Sequence, residues 1–123
     1  MPPATILCID DEPDGLKVRC KLLEKAGYRV ITAASPPEGI RLFAAEHIDL
    51  VVLDYWMADL RGIQLAERLK RTKRRVPIIM LSGFRPIGDE GIGRVERWLV
   101  KGESGPEDLL STIRQLLDPA QTP

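Results

Sequence analysis

The chain has 123 residues, 44% of them hydrophobic, enough for one sizeable core and too few for a second domain beside it. Eighteen basic residues balance eighteen acidic ones and aromatics make up only 5%, which argues against a charged nucleic-acid or membrane surface and against base stacking. No apolar stretch approaches the roughly 20 residues that cross a bilayer, and the N-terminus shows no basic-then-apolar leader, so a cytoplasmic setting is expected.

Short apolar runs alternate with amphipathic segments about five times. Thr5 to Ile9 reads as a β-branched strand that stops at Asp10, Asp11 and Glu12. A helical pattern follows, with Leu16, Cys20 and Leu23 on one face and charges elsewhere, ended by Gly27. Cys8 and Cys20 match no metal or redox spacing, and no disulfide is expected. Arg29 to Ala33 is a second strand. Ser35-Pro36-Pro37-Glu38 then opens a helix to about Glu46. His47, the only histidine, falls in a polar turn and suits neither a phosphodonor nor a metal ligand.

Asp49 to Leu53 is the third apolar run, and it too ends in an acid, Asp54. A loop to Gly62 precedes a third helix through about Lys73. The cations Arg68, Lys70, Arg71, Lys73, Arg74 and Arg75 at its end read as a solvated helix terminus that favours the macrodipole. Val76 to Leu81 is a fourth strand, ending at Ser82-Gly83. Phe84 to Arg94 carries Pro86, Gly88, Gly91 and Gly93, so any fourth helix there is short or irregular. Glu96 to Val100 is the fifth strand, followed by Lys101. Ser104-Gly105-Pro106-Glu107-Asp108 starts a last helix that Pro119 stops, leaving 118–123 as a tail or linker stub. The third and fourth runs are uniformly apolar, as in parallel strands covered on both faces, and the β–α alternation implies a doubly wound α/β sheet.

In such a sheet ligands bind beyond the carboxyl ends of the strands. Asp10, Asp11, Asp54, Ser82 and Lys101 all fall at that edge, from four different strands. Crowded carboxylates repel one another, and a divalent cation with oxygen ligands relieves that repulsion; Mg2+ or Mn2+ suits the donors. A carboxylate is also a competent phosphoryl acceptor, with a metal and an ammonium to neutralise the transferring oxygens.

The residues Ile6-Leu7-Cys8-Ile9-Asp10-Asp11-Glu12-Pro13 resemble the acidic-pair motif that opens response-regulator receiver domains. Val51-Val52-Leu53-Asp54-Tyr55-Trp56-Met57-Ala58-Asp59-Leu60-Arg61-Gly62 is similar to the phosphoacceptor motif, Ile78-Ile79-Met80-Leu81-Ser82-Gly83 to the strand bearing the switch hydroxyl, and Trp98-Leu99-Val100-Lys101 to the final strand. The resemblance spans about residues 4–117. It implies a flavodoxin-like five-stranded parallel sheet in the order 2-1-3-4-5 with helices on both faces. It also implies that Asp54 is the phosphoacceptor, that Asp11 binds Mg2+ directly and Asp10 through water, and that the Trp56 carbonyl completes the metal ligands. Lys101 would pair with the phosphoryl group, and Ser82 with Trp98 would form the conformational switch. The donor would be a sensor histidine kinase or histidine phosphotransfer protein. The receiver would pass its state to an unknown downstream protein, with no direct contact to nucleic acid or membrane and a homodimer left open.

The chain departs from the family in places. Ala58 replaces a common proline, and Gly102 replaces the proline that usually follows the lysine. The Lys101–Gly102 bond is therefore expected to be trans, which could misplace Lys101, or a strained cis held by the fold. The interval between Ser82 and Lys101 is short, so the usual output face is expected to be remodelled or mobile. Trp56 and Phe84 hold the two positions linked to the rate of phosphate loss, and both are bulky. They either shield the acyl phosphate from water or simply pack. Two rival functions are an aspartate-nucleophile phosphatase, which would want an acid where Trp56 stands, and a degenerate receiver that only binds protein.

Overall fold

The structure, a computed structural model, describes residues 2–55 and 61–118. The elements run β1 (Thr5–Ile9), α1 (Pro13–Lys25), β2 (Arg29–Ala33), α2 (Pro36–Ala45), β3 (Leu50–Asp54), α3 (Gly62–Thr72), β4 (Ile78–Ser82), β5 (Arg97–Val100) and α4 (Pro106–Leu117). All five strands are parallel, in the order β2-β1-β3-β4-β5. The expected flavodoxin-like sheet is present.

Strand alternation divides the core. Ile6, Cys8, Leu50, Val52, Ile79 and Leu81 point to one face, where Leu16 and Leu23 of α1 and Leu109 and Ile113 of α4 cover them. Their neighbours Leu7, Ile9, Val51, Leu53, Ile78 and Met80 point to the other, against Phe43 of α2 and Leu65, Ala66 and Leu69 of α3. The central strands are apolar throughout because both faces are covered. Burial in this apolar setting pushes the Cys8 thiol up to about 12, so it serves as a packing group. Cys8 and Cys20 are both free thiols.

Local chemistry sets the helix ends. Ser35 Oγ accepts the Glu38 amide at 3.4 Å ahead of Pro36 and Pro37. The Asp108 carboxylate accepts the Gly105 amide at 2.8 Å and so closes the entry to α4.

Two expectations are corrected. No fourth helix, even a short one, forms between β4 and β5. Residues 88–94 make successive turns, with amide–carbonyl bonds Glu90–Ile87, Ile92–Asp89 and Arg94–Gly91. Gly88 and Gly93, at φ +58° and +76°, break helical geometry twice within one potential turn and a half. The basic cluster is also less solvated than its composition suggests. Lys70, 13% exposed, donates to the Val76 carbonyl at 3.0 Å and to Glu96 at 2.7 Å. Lys73 donates to the Phe43 and Glu46 carbonyls at 2.8 and 3.1 Å, satisfying the end of α2. Glu96, read as the first residue of the fifth strand, lies just outside it. Its carboxylate accepts the Ile78 amide at 2.7 Å, fixing where β5 begins beside β4.

Gly62 opens α3 directly over the end of β3. A Cβ there would lie 2.7 Å from the Asp54 carbonyl oxygen and from Tyr55 Cα, and 2.8 Å from Met80 Sδ. Backbone cannot yield as a side chain can. Gly62→Ala should therefore destabilise the fold by about 1–3 kcal/mol in urea denaturation. Gly83→Ala, where a Cβ meets nothing within 4 Å, should stay within about 0.5 kcal/mol of wild type.

Candidate functional site

The order reversal lies between β1 and β3, which are neighbours in the sheet although β2 intervenes in the chain. Their carboxyl ends deliver Asp10, Asp11 and Asp54. Each carboxylate offers an oxygen, and these oxygens all lie within 4.8 Å of one another. Asp10 and Asp54 are buried, whereas Asp11 faces solvent.

Lys101, just past β5, reaches across the end of β4 and donates to Asp54 Oδ1 at 2.6 Å. The Lys101–Gly102 bond is trans, as are all peptide bonds among the described residues. The trans bond leaves the ammonium on the Asp54 side chain. Gly102 adopts φ +89°, and the turn it allows returns the Glu103 and Ser104 amides to the Val100 carbonyl at 3.1 and 2.9 Å. Proline, fixed near φ −65°, could not take this conformation.

Burial raises the Asp54 carboxyl above its ordinary value. The Lys101 hydrogen bond opposes that, Asp10 adds to it, and the Lys101 and Arg19 charges lower it again. Arg19 escaped notice in the sequence. Its Nη1 donates to Asp10 Oδ2 at 3.1 Å, while Asp10 Oδ1 accepts the Glu12 amide at 2.9 Å. The signal was available: Arg19 lies on the inner stripe of Leu16, Cys20 and Leu23, where an aliphatic residue is the default.

Ser82 is buried at the end of β4, and its Oγ accepts the Phe84 amide at 3.1 Å. The Trp98 indole N–H donates to the Phe84 carbonyl at 2.9 Å. The two residues expected to form a switch are thus bonded to one residue, Phe84, through its N–H and its C=O. The Phe84 ring packs edge-on against Tyr55 at 4.9 Å, and Trp98 lies 5.5 Å from Tyr55. Tyr55, buried and adjacent to Asp54, donates its hydroxyl to Glu90 at 3.2 Å. Arg94 joins the same segment to Glu67 of α3 at 2.8 Å. These links bind the 84–96 segment to the rest of the fold without a helix. Trp56, expected to lend a carbonyl and shield the acceptor, lies outside the described residues. His47 is exposed, 3.0 Å from Asp49, and precedes the amino end of β3, whereas Asp54 closes its carboxyl end.

Residues 6–91 match the family model of the response regulator receiver domain. The chain belongs to that family. As a receiver domain it is 37% identical over 87 residues to the transcriptional regulatory protein GlrR of Escherichia coli K12, covering 71% of this chain and 20% of that one. It is 35% identical over 121 residues to the probable transcriptional regulator ycf27 of Cyanophora paradoxa, covering 96% and 50%. The chain therefore spans half or less of these two curated relatives. The structure resembles a CheY-like receiver domain protein from Methanospirillum hungatei JF-1 with TM-score 0.87, 27% identity and 94% of each chain covered. It also resembles the Thermotoga maritima response regulator TrrA, solved in complex with Mg2+–BeF, with TM-score 0.84, 26% identity and 93% and 99% covered. Receiver domains are signalling modules, and the acidic cluster at this edge is consistent with one.

The balance at Asp54 gives a pH test. Its folded-state carboxyl is raised, so ionising it works against the fold as pH rises through that value, and protonating it relieves the fold as pH falls. In chelator, Asp54→Asn should unfold at higher temperature than wild type at neutral pH. The gain should shrink as the pH falls into the acidic range. A wild type more stable than the variant at neutral pH would mean that the Lys101 bond outweighs burial.

Proposed function

We propose that the chain is a phosphoacceptor receiver of a two-component phosphorelay, residues about 4–117 forming the working unit and Asp54 taking the phosphoryl group. The observation that carries this reading is the juxtaposition at one sheet edge of three carboxylate oxygens within 4.8 Å and an ammonium 2.6 Å from the buried Asp54.

A donor set made only of oxygen fits Mg2+ or Mn2+ and disfavours softer metals. Asp10, Asp11 and Asp54 would hold the ion, with the Trp56 carbonyl as a further ligand. When bound, the ion supplies charge neutralisation for the phosphoryl oxygens. An Asp54 carboxylate oxygen attacks phosphorus and forms the new O–P bond. The N–P bond of a phosphohistidine donor breaks, and its electron pair stays on the imidazole nitrogen, which takes up a proton. Lys101 leaves Asp54 for the incoming phosphoryl oxygens, an exchange that its half-exposed side chain permits at little cost. Ser82 Oγ turns its hydroxyl toward the phosphoryl group, which strains the bond it accepts from Phe84. Phe84 carries that change to Trp98.

On this reading the protein catalyses only its own phosphorylation and dephosphorylation and is no enzyme toward other substrates. Its partners are a cytoplasmic sensor histidine kinase or histidine phosphotransfer protein and a downstream protein that reads the remodelled 84–96 face. The absence of a helix there favours one alternative, a binding module indifferent to phosphorylation.

Incubation with Mg2+ and acetyl phosphate should add one phosphoryl mass. Asp54→Ala or chelation should abolish it, and Lys101→Ala should slow its appearance by about 100-fold, the loss typical of one electrostatic contact to the reacting group. A chain that stays unlabelled by acetyl phosphate and by phosphohistidine donors would be the binding module. Phe84→Ala should shorten the lifetime of the adduct if the ring shields it. An unchanged lifetime would leave Phe84 a packing residue.

A further inference from the structure

The inner stripe of α1 carries one residue that packing alone does not explain. Leu16 and Leu23 are buried against the sheet, and Arg19 lies between them with only 12% of its side chain exposed. A guanidinium so desolvated is unfavourable unless its charge is met. Asp10 meets it: Nη1 lies 3.1 Å from Oδ2, on a carboxylate side chain that is 3% exposed. The Glu12 amide holds the other oxygen of Asp10 at 2.9 Å. Both oxygens of one member of the acidic cluster are therefore engaged by the chain itself. The positive charge of Arg19 is also felt at Asp54, where it favours the ionised carboxylate.

We propose that Arg19 is a built-in counter-cation of the acidic cluster, a positioning residue that acts through Asp10 and sets a low affinity for divalent cations. This rests on reading the cluster as a Mg2+ site. A fixed guanidinium already relieves part of the repulsion among Asp10, Asp11 and Asp54, the same relief that makes a divalent ion favourable there. An entering ion meets that positive charge a few ångströms away and must share Asp10 with it. Replacing Arg19 by a neutral side chain makes the cluster one unit more negative. It also leaves buried Asp10 dependent on a single amide and an outside cation. Metal loading, and with it phosphoryl acceptance, is thus confined to higher Mg2+ than an uncompensated cluster would need.

The test is calorimetric titration of the whole chain with Mg2+, and paramagnetic titration with Mn2+, for wild type, Arg19→Met, Arg19→Lys and Asp11→Asn. Arg19→Met should bind either ion about tenfold or more tightly than wild type, since a unit charge this close to a divalent ion in a partly buried site weighs at least that much. Arg19→Lys, which keeps the charge, should remain within about threefold of wild type. Arg19→Met should also melt below wild type in chelator and gain more from added Mg2+. Arg19→Gln, neutral and able to donate to Asp10, replaces it if the Met variant does not fold. Equal or weaker binding in the neutral variants, with binding still lost in Asp11→Asn, would overturn the counter-cation role while leaving the metal site in place. If Asp11→Asn binds like wild type, or no form binds either ion, the metal-site reading fails and this inference with it.

Discussion

Three carboxylates held within reach of one another at the edge of a parallel sheet are the constraint around which this molecule is arranged. Their mutual repulsion must be offset, and the chain does so from both sides. Lys101 reaches Asp54 from the end of β5, and Arg19 reaches Asp10 from α1. The sheet makes this geometry unavoidable. Parallel strands aligned in register place their carboxyl ends side by side, and the order reversal between β1 and β3 opens a crevice there. The helices that cover both faces keep water from the strands but leave this edge open to ligands.

The elements with unusual sequence are those that serve this edge. Gly62 has no Cβ because α3 must begin against the backbone of Asp54 and Tyr55. Gly102 takes a positive φ so that the chain can turn immediately after Lys101 while the lysine stays on Asp54. A trans bond and a flexible residue thus achieve a placement for which the family generally uses proline.

The region between β4 and β5 solves a different problem. Without a helix, its turns pair part of its own backbone, and individual side chains tie it to the rest of the fold. Glu90 holds Tyr55, Arg94 holds Glu67, and Glu96 holds both Lys70 and the Ile78 amide. The Tyr55–Phe84–Trp98 aromatic group fills the space beneath. Ile87 and Ile92, 73% and 75% exposed, stand on the outside of this segment. A face built from side-chain ties can shift by exchanging partners, whereas a helix shifts as a rigid body. The surface between β4 and β5 therefore differs from that of a receiver with a regular helix here.

By itself the sequence determined the strands, the four helices of the described residues, the sheet type and the gathering of Asp10, Asp11, Asp54, Ser82 and Lys101 at one edge. Hydrophobic periodicity and strand-end position are local properties, and outside the segment between β4 and β5 they agree with the fold. Only the tertiary structure decided which charges pair. Arg19 and Asp10 are separated by 9 residues, and Lys101 and Asp54 by 47. Neither pairing has a local signature beyond a cation on an apolar stripe. The same holds for Lys70 and Lys73, read as solvated, and for Glu96, read as a strand residue, which the fold uses to tie α2, α3 and β5 together. The edge was legible because repeated strand ends mark it. How its charge is balanced was not, because Coulomb partners are chosen by distance in space.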